Sequence, residues 1–160
     1  MTKTSKRSAG LVMYRNRKEE MEVFLVHPGG PLWANKDRGV WTVPKGEYEE
    51  NEEPLAAAQR EFHEETGFTA GGDFIELGFV RQKSGKIVIA WAFEGDCDPA
   101  KLLSNTCKIE WPPKSKKRHE IPEVDQGRLF NLPTARQFMR FEQMPLLEIL
   151  ENKVGGPNRL

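Results

Sequence analysis

The sequence predicts an α+β fold, and two features of its hydrophobic pattern lead to this class. Short apolar segments rich in Val, Leu and aromatic residues occur in pairs, at 9–14 and 21–26 and again at 74–82 and 87–93, which indicates two pairs of strands. One helical segment lies between the pairs, and two more follow near the end of the chain. Strands around a central helix, with helices at the end, favour an α+β sandwich.

A long loop follows the first pair of strands. The charged stretch 15–20 separates these two strands as a turn, and Pro and Gly residues then interrupt the chain over 27–39. Loops of that length often carry function. Residues 40–43 are predicted to add a short strand that ends at Pro44, after which Lys45-Gly46 begins a polar loop.

The central helix has clear start and stop signals. Pro54 suits the first turn of a helix, because the N–H that proline lacks has no partner there. Residues 55–66 contain strong helix formers, and Gly67 supplies a C-terminal stop.

The second half of the chain gives weaker signals. Ser84-Gly85 indicates a two-residue turn inside the second pair of strands. The other expected elements are a strand at 107–111, a basic polar stretch at 114–118, a last strand at 127–132, helices at 134–140 and 146–152, and a tail that frays from Gly155.

Length and composition favour one soluble domain over residues 1–160, because a chain of this size can bury a core without disulfides. Its 24 basic and 24 acidic residues leave no net field, so we expect no extended nucleic-acid binding and no membrane association. Cys97 and Cys107 are too few for a disulfide framework or a zinc site and are interpreted as free thiols. No apolar run approaches the roughly 18 residues of a membrane span, and we expect a cytoplasmic protein.

The central helix also carries an acidic face. Glu61, Glu64 and Glu65 have the spacing i, i+3 and i+4, which places three carboxylates within an arc of roughly 100°. Such a face is often only solvated surface. A divalent cation would nevertheless offset the repulsion between the three charges, because Mg²⁺ prefers oxygen ligands.

The segment 46–68 resembles the Nudix box. That pattern is Gly, five residues, Glu, seven residues, and then Arg-Glu-apolar-any-Glu-Glu-any-Gly-apolar. Every specified position is filled over 23 residues, by Gly46, Glu52 and the run Arg60-Glu61-Phe62-His63-Glu64-Glu65-Thr66-Gly67-Phe68. The resemblance implies the Nudix fold, an α/β/α sandwich with a mixed central sheet, in a single domain.

The resemblance also implies roles for the box residues. Glu61, Glu64 and Glu65 would bind Mg²⁺ or Mn²⁺, often together with the carbonyl of Gly46. Glu61, Arg60 and Glu64 would be the catalytic residues. Arg60 would orient the catalytic glutamate, through a forked pair of hydrogen bonds to Glu61, and would also pair with Glu52, while Gly67 ends the helix. The implied reaction is hydrolysis of a nucleoside diphosphate linked to another moiety.

The sequence leaves the identity of the general base open. In some members of the family it is the glutamate that matches Glu61, and in others it is a glutamate on a later loop or strand. Glu110, Glu120 and Glu123 are candidates for the second case, and each of them also fits an ordinary surface charge.

Substrate contacts are expected from residues outside the core of the box. Lys45 lies one residue before the box and would contact a phosphate as a point charge, with Arg81 and nearby lysines extending a basic rim. Trp33, in the long loop, is the candidate for stacking on a base. Alternatively, these basic residues and this tryptophan are solvated or packed.

Substrate markers of some subfamilies are missing. The proline that many ADP-ribose-cleaving members carry some fifteen residues after the box is absent, and so is the tyrosine of some dinucleoside polyphosphate hydrolases. Lys83, Ser84, Gly85 and Lys86 stand there instead.

The favoured hypothesis is a hydrolase of nucleoside polyphosphates, leaning towards dinucleoside polyphosphates or nucleoside triphosphates, that acts as a monomer or a homodimer. Three alternatives remain. One is a house-cleaning hydrolase of oxidised nucleoside triphosphates, and another is a Nudix-fold module that senses a nucleotide without cleaving it. The third is the processing of RNA caps or 5′-triphosphates, which uses the same box, although the neutral net charge disfavours extended phosphate-backbone contact.

Overall fold

The computed structural model describes residues 6–155, so the predicted fraying tail lies almost wholly outside it. The described chain forms eight strands and three α-helices. The strands are β1 Arg7–Arg17, β2 Glu20–Pro28, β3 Lys45–Glu47, β4 Ile75–Arg81, β5 Ile87–Glu94, β6 Thr106–Glu110, β7 Arg118–Pro122 and β8 Val124–Asn131. The α-helices are α1 Pro54–Thr66, α2 Leu132–Phe138 and α3 Met144–Leu150.

Six of the strands form one mixed sheet. Five of them follow the order β4-β5-β1-β2-β8, and β3 pairs with β1 outside this order. β1 pairs with β5 in parallel and with β2 antiparallel. The short β3 also pairs with β1, over residues 8–10, whereas β2 pairs with β1 over residues 14–17. One long strand therefore supports both the hairpin partner β2 and the strand that begins the Nudix-like segment.

Helices cover both faces of this sheet. On one face α1 packs through Phe62 against Phe24 and Phe93, with ring centroids 6.5 and 5.4 Å apart. On the other face α2 and α3 pack around Trp41 and Phe130. The predicted α/β/α sandwich with a mixed central sheet is therefore confirmed, and α1 is fixed against the sheet by its buried apolar residues Ala57, Ala58 and Phe62.

The predicted strand at 40–43 is wrong, because Trp41 and Thr42 form only isolated bridges. Thr42 bonds to Val26 on one side, whereas Trp41 exchanges hydrogen bonds with Phe138 and Arg140 on the other, so no continuous ladder develops. The strand forms at Lys45–Glu47 instead, where a polar loop was expected. Its pairing to β1 places the start of the box on the sheet.

Two turns also differ from expectation. The β4–β5 loop has three residues between Gln82 and Lys86, and Gly85 takes a left-handed conformation with φ 92°. This is the glycine bulge of a longer hairpin loop, and the predicted two-residue turn is wrong. The basic stretch 114–118 is the turn of a separate β6–β7 hairpin, and β7 went unnoticed because its polar residues lack an apolar alternation.

Among residues 6–155, no helix is both long and apolar enough to cross a membrane.

Candidate active site

The helix α1 is fixed at both ends by its own sequence. The Glu53 side chain accepts a hydrogen bond from the backbone N–H of Ala56 at 2.8 Å, and Pro54 occupies the first turn. Gly67 ends the helix with φ 79° and donates its N–H to the carbonyl of His63 at 2.7 Å. These caps fix which turn of the helix faces the sheet, and so they fix the position of the glutamates.

Gly46 lets the strand β3 approach α1. A Cβ atom added at Gly46 would overlap the Glu61 carboxylate. Glu61 is only 9 % exposed, so its side chain lies largely packed between α1 and β3. The box glycine is therefore required for its lack of a side chain, which brings the Glu61 carboxylate against the β3 backbone.

Arg60 joins three carboxylates of the segment. Its Nε and Nη2 donate to the two oxygens of Glu52 at 2.8 and 3.0 Å, a forked arrangement. Its Nη1 donates to Glu61 at 2.6 Å and to Glu64 at 2.8 Å. The fork expected at Glu61 is thus made to Glu52, and Glu61 receives a single hydrogen bond.

Glu65 is more deeply placed than Glu64. It is 7 % exposed and accepts a hydrogen bond from the backbone N–H of Lys45 at 3.2 Å. Burial raises the pKa of Glu65 to about 8, against the opposing effect of the Lys45 charge. Burial also raises the pKa of Glu61, whereas the Arg60 guanidinium lowers it. Both groups are carboxylates held where a counter-charge would stabilise their ionised form.

Glu123 is the later glutamate that lies beside the box. It stands just before β8, where its N–H donates to the carbonyl of Asn105 at 2.9 Å and its carboxylate accepts a hydrogen bond from Nδ2 of Asn105 at 3.4 Å. Burial and the charge of Glu64 raise the pKa of Glu123. Glu123 therefore adds a fourth carboxyl group to the glutamates of α1.

Glu110 and Glu120 lie on the β6–β7 hairpin instead. Glu110 accepts hydrogen bonds from the backbone N–H groups of Lys114 and Lys116, at 3.2 and 2.9 Å, and so stabilises the turn. Glu120 is exposed on β7, in register with Lys108. Neither residue lines the cavity at the box, so the geometry favours Glu61 and Glu123 as the candidates for the base.

The ladder between β3 and β1 decides which main-chain oxygen faces the glutamates. Leu11 donates to the carbonyl of Pro44, and Tyr48 donates to the carbonyl of Arg7. By the alternation of an antiparallel ladder, Gly46 then points its N–H and carbonyl towards β1, and Lys45 points both groups away from it. The bond from the Lys45 N–H to Glu65 agrees with this. The carbonyl of Lys45, rather than that of Gly46, is therefore the one on the carboxylate side.

These groups surround a cavity of about 350 Å³. Its wall is acidic on one side and contains two lysines on the other. The residues that line it are Ser8, Lys45, Gly46, Glu47, Glu61, Glu65, Lys86 and Glu123. Within residues 6–155, no group of three His, Cys, Asp or Glu side chains is already arranged as a closed metal cage. Arg60 takes up one oxygen of Glu61 and one of Glu64. Glu61 already lines the cavity, whereas Glu64 does not and would have to turn to reach a metal there.

The other predicted substrate residues lie elsewhere. The Trp33 ring is covered by the ammonium group of Lys36, 5.2 Å from its centroid, in the long loop. Arg81 is exposed at the end of β4, and β5 separates it from β1. Neither Trp33 nor Arg81 lines the box cavity.

Sequence reasoning did not single out Ser8 or Glu47, and it treated Lys86 only as part of a basic rim. Ser8 meets β5 through the parallel pairing of Ser8 with Val88, and it meets β3 through the pairing with Glu47. Parallel pairing joins segments that are far apart in sequence and leaves no local pattern, so no signal in the sequence could have brought these residues together.

The fold and the site define a class: an α/β/α protein with a capped helix whose glutamates line a cavity beside the strand β3. A family model described as NUDIX domain matches residues 4–132, and the chain belongs to this family. With its complete box it is a Nudix hydrolase that acts on pyrophosphate bonds.

Solved structures share this fold. One is the Nudix domain of Shewanella oneidensis NrtR complexed with ADP ribose, at TM-score 0.68 and 15 % identity, over 96 % of this chain and 90 % of that chain. A Caenorhabditis elegans Ap4A hydrolase in a binary complex has TM-score 0.62 and 22 % identity, over 94 % and 98 %. A MutT/nudix family protein from Listeria innocua has TM-score 0.63 and 18 % identity, over 95 % and 96 %. At these identities the likeness concerns the fold.

Proposed function

We propose that this protein is a Mg²⁺- or Mn²⁺-dependent pyrophosphohydrolase of nucleoside polyphosphates, with dinucleoside polyphosphates as the favoured substrates. The observation that carries the proposal is the convergence of Glu61, Glu65 and Glu123 on one cavity that also contains Lys45 and Lys86. Carboxylates and ammonium groups in one cavity match a ligand made of metal ions and phosphates.

The residues of the cavity fit a divalent metal. Glu61, Glu65 and Glu123 offer carboxylate oxygens, and Lys45 offers an outward carbonyl, which is the hard oxygen set that Mg²⁺ and Mn²⁺ prefer. Glu64 is partly exposed and bound to Arg60, so it would complete the set after turning towards the cavity. When bound, the metal ions would polarise phosphoryl oxygens and stabilise the attacking and leaving oxygens.

Arg60 would hold Glu52 and Glu61 in place while Glu64 turns towards the cavity. Its forked pair to Glu52 uses Nε and Nη2, so these two bonds can persist while Nη1 gives up Glu64. The guanidinium then stays fixed and continues to orient Glu61. In this proposal Glu52 and Gly67 are structural, and Arg60 is a positioning residue.

The base that takes the proton from the attacking water is assigned to Glu61 or Glu123. Both carboxyl groups line the cavity, and both have a pKa raised by burial, which moves a carboxylate towards the range suited to a general base near neutral pH. Their separate substitution distinguishes the two assignments.

Two observations support a substrate with a long phosphate chain. The lysines of the cavity supply positive charge beside the carboxylates, as a polyphosphate requires. One structure that this fold resembles is called an Ap4A hydrolase. We also propose a monomer or a homodimer in the cytoplasm, where the free thiols Cys97 and Cys107 would stay reduced.

A second candidate, the cleavage of oxidised nucleoside triphosphates, is favoured by a different cavity. The long loop and β8 enclose about 560 Å³ beside Asn35, Asp37, Asp125 and Gln126, whose side chains could read the edge of a base. Asp37 already accepts a hydrogen bond from Trp41, and Asp125 already pairs with His27, so Asn35 and Gln126 are the freer readers.

The deciding experiment is a substrate panel with Mg²⁺ or Mn²⁺, with products resolved by chromatography. It includes dinucleoside polyphosphates, ordinary and oxidised nucleoside triphosphates, ADP-ribose and nucleotide sugars. We expect the highest kcat/KM for a dinucleoside polyphosphate, and a preference for an oxidised triphosphate would select the second candidate. Nucleotide binding without cleavage of any compound would contradict the enzyme and favour a sensor.

A further inference from the structure

The lysine side of the box cavity has its own architecture. Side chains alternate along β3, so Lys45 and Glu47 point to the face opposite the one on which Gly46 meets Glu61. Lys86, from the end of the β4–β5 loop, reaches the same place and lies 3.1 Å from Glu47, with 27 % of its side chain exposed. Two ammonium groups from distant segments therefore meet beside β3.

Three basic side chains lie together at this position, and the carboxylates of Glu47, Glu65 and Glu142 oppose them. Lys86 pairs with Glu47, and Arg140 lies close enough to act electrostatically on Lys45 while pairing with Glu142 at 3.1 Å. Burial lowers the pKa of Lys45, and the charges of Glu65 and Glu47 oppose this effect. An anion entering the cavity would meet ammonium groups held in place before it arrives.

Ser8 supplies an independent sign of a ligand. It is 1 % exposed and lines the cavity, and its Oγ finds no hydrogen-bond partner among the described residues. A buried hydroxyl without a partner is costly, and native structures usually supply one. A phosphate oxygen held between the two lysines would be a suitable acceptor for this hydroxyl.

We propose that Lys86, with Lys45 and Ser8, forms an anion subsite that binds a phosphate beyond the hydrolysed linkage. The inference rests on the proposed function and deepens it, because it assigns the cavity to substrates with three or more phosphates. A diphosphate-linked substrate would fill the carboxylate side alone. Glu47 competes with the phosphate for Lys86 and so sets the affinity of the subsite.

The test measures the binding of inorganic tripolyphosphate and pyrophosphate to the full chain by calorimetry, with and without Mg²⁺. We expect Lys86→Gln to weaken tripolyphosphate binding about tenfold, the size of one lost charge-assisted hydrogen bond, and to affect pyrophosphate less. Lys101→Gln removes the same charge from an exposed residue on the short 3₁₀ turn before β6 and should leave binding unchanged.

Substitution of Glu47 distinguishes two roles of Lys86, a contact to phosphate and a structural ion pair with Glu47. Glu47→Gln should tighten tripolyphosphate binding about three- to tenfold, because it releases Lys86, and adding Lys86→Gln should remove that gain. If the double variant binds like Glu47→Gln, Lys86 does not contact the anion and the proposal is wrong. Absence of binding to the natural chain in either condition would also overturn it.

Ser8→Ala gives the last readout. It should weaken tripolyphosphate binding about threefold without lowering the melting temperature of the free protein, because the lost hydroxyl has no partner there. Unchanged binding would remove Ser8 from the subsite. The substrate panel tests the proposed function, and these binding measurements test the subsite. The two can fail separately, because the subsite can bind tripolyphosphate in a chain that hydrolyses no nucleotide.

Discussion

The glutamates of α1 and those of the β6–β7 hairpin have the same chemistry and opposite surroundings. Glu61 and Glu65 are buried, lie in a cavity and have a raised pKa. Glu110 and Glu120 are exposed, and Glu110 stabilises a turn. The difference teaches that convergence and burial, rather than residue type, mark the candidate site. Glu123 belongs with the first group although it directly follows β7.

The strongest test of this comparison is Glu64→Gln. We expect Mg²⁺-dependent turnover to fall about 10²- to 10³-fold, because the variant removes a proposed metal ligand and preserves the shape of the side chain. Glu120→Gln, on the hairpin, is the matched control and should stay within about twofold of the natural chain. Steady-state kinetics with circular dichroism measures both effects. Equal turnover in all three proteins would remove the metal assignment.

Glu123→Gln tests the late glutamate. If Glu123 is the base, kcat should fall about 10²- to 10⁴-fold with little change in KM, and Glu110→Gln should have no effect. Stopped-flow measurement of a single turnover isolates the chemical step. A large loss in Glu61→Gln together with near-normal Glu123→Gln would assign the base to Glu61.

Arg60→Ala should have a smaller effect on catalysis. Because Arg60 contacts Glu52, Glu61 and Glu64 and not the cavity itself, we expect kcat to fall about 10- to 100-fold, more than KM rises. Lysine at this position would keep the charge and lose the fork, so Arg60→Lys should recover activity only in part. A change confined to KM would contradict the positioning role.

The last prediction concerns stability in the absence of metal. The pKa of Glu65 is raised by burial to about 8, so its contribution to stability is present below the ordinary carboxyl pKa and is lost as the pH rises towards 8. Glu65→Gln cannot titrate. In EDTA, the natural chain should therefore lose stability relative to the variant by up to about 1.4 kcal/mol per pH unit between about pH 5 and pH 8. Urea unfolding across this range would show parallel curves if burial did not raise the pKa.

Sequence reasoning located the parts of the site that depend on local signals. Pro54 and Gly67 bound the helix, and the spacing of Glu61, Glu64 and Glu65 places them on one side of it. These features are properties of one segment of chain. Periodicity and capping rules act within such a segment, so the α1 part of the site could be predicted.

The remaining parts depend on contacts between segments. The choice of Glu123 over Glu110 and Glu120 follows from the position of β8 in the sheet, which spacing does not reveal. The strand β3 was missed because its three residues, Lys45–Glu47, are polar and glycine-containing and are held by pairing to β1. Trp33 and Arg81 were chosen by residue type, and the cavity that they were expected to line lies elsewhere.

The parallel pairing of β1 with β5 has a consequence for how the enzyme is made. Ser8 and Lys86 become neighbours only when the chain between them has closed, and such long-range closure is slow compared with forming a helix. A nascent or truncated chain that ends after α1 would hold every box residue and still lack Lys86 and Glu123. The molecule therefore acquires its complete cavity only after β8 is in place, and a partly synthesised chain has no complete site with which to hydrolyse pyrophosphate bonds.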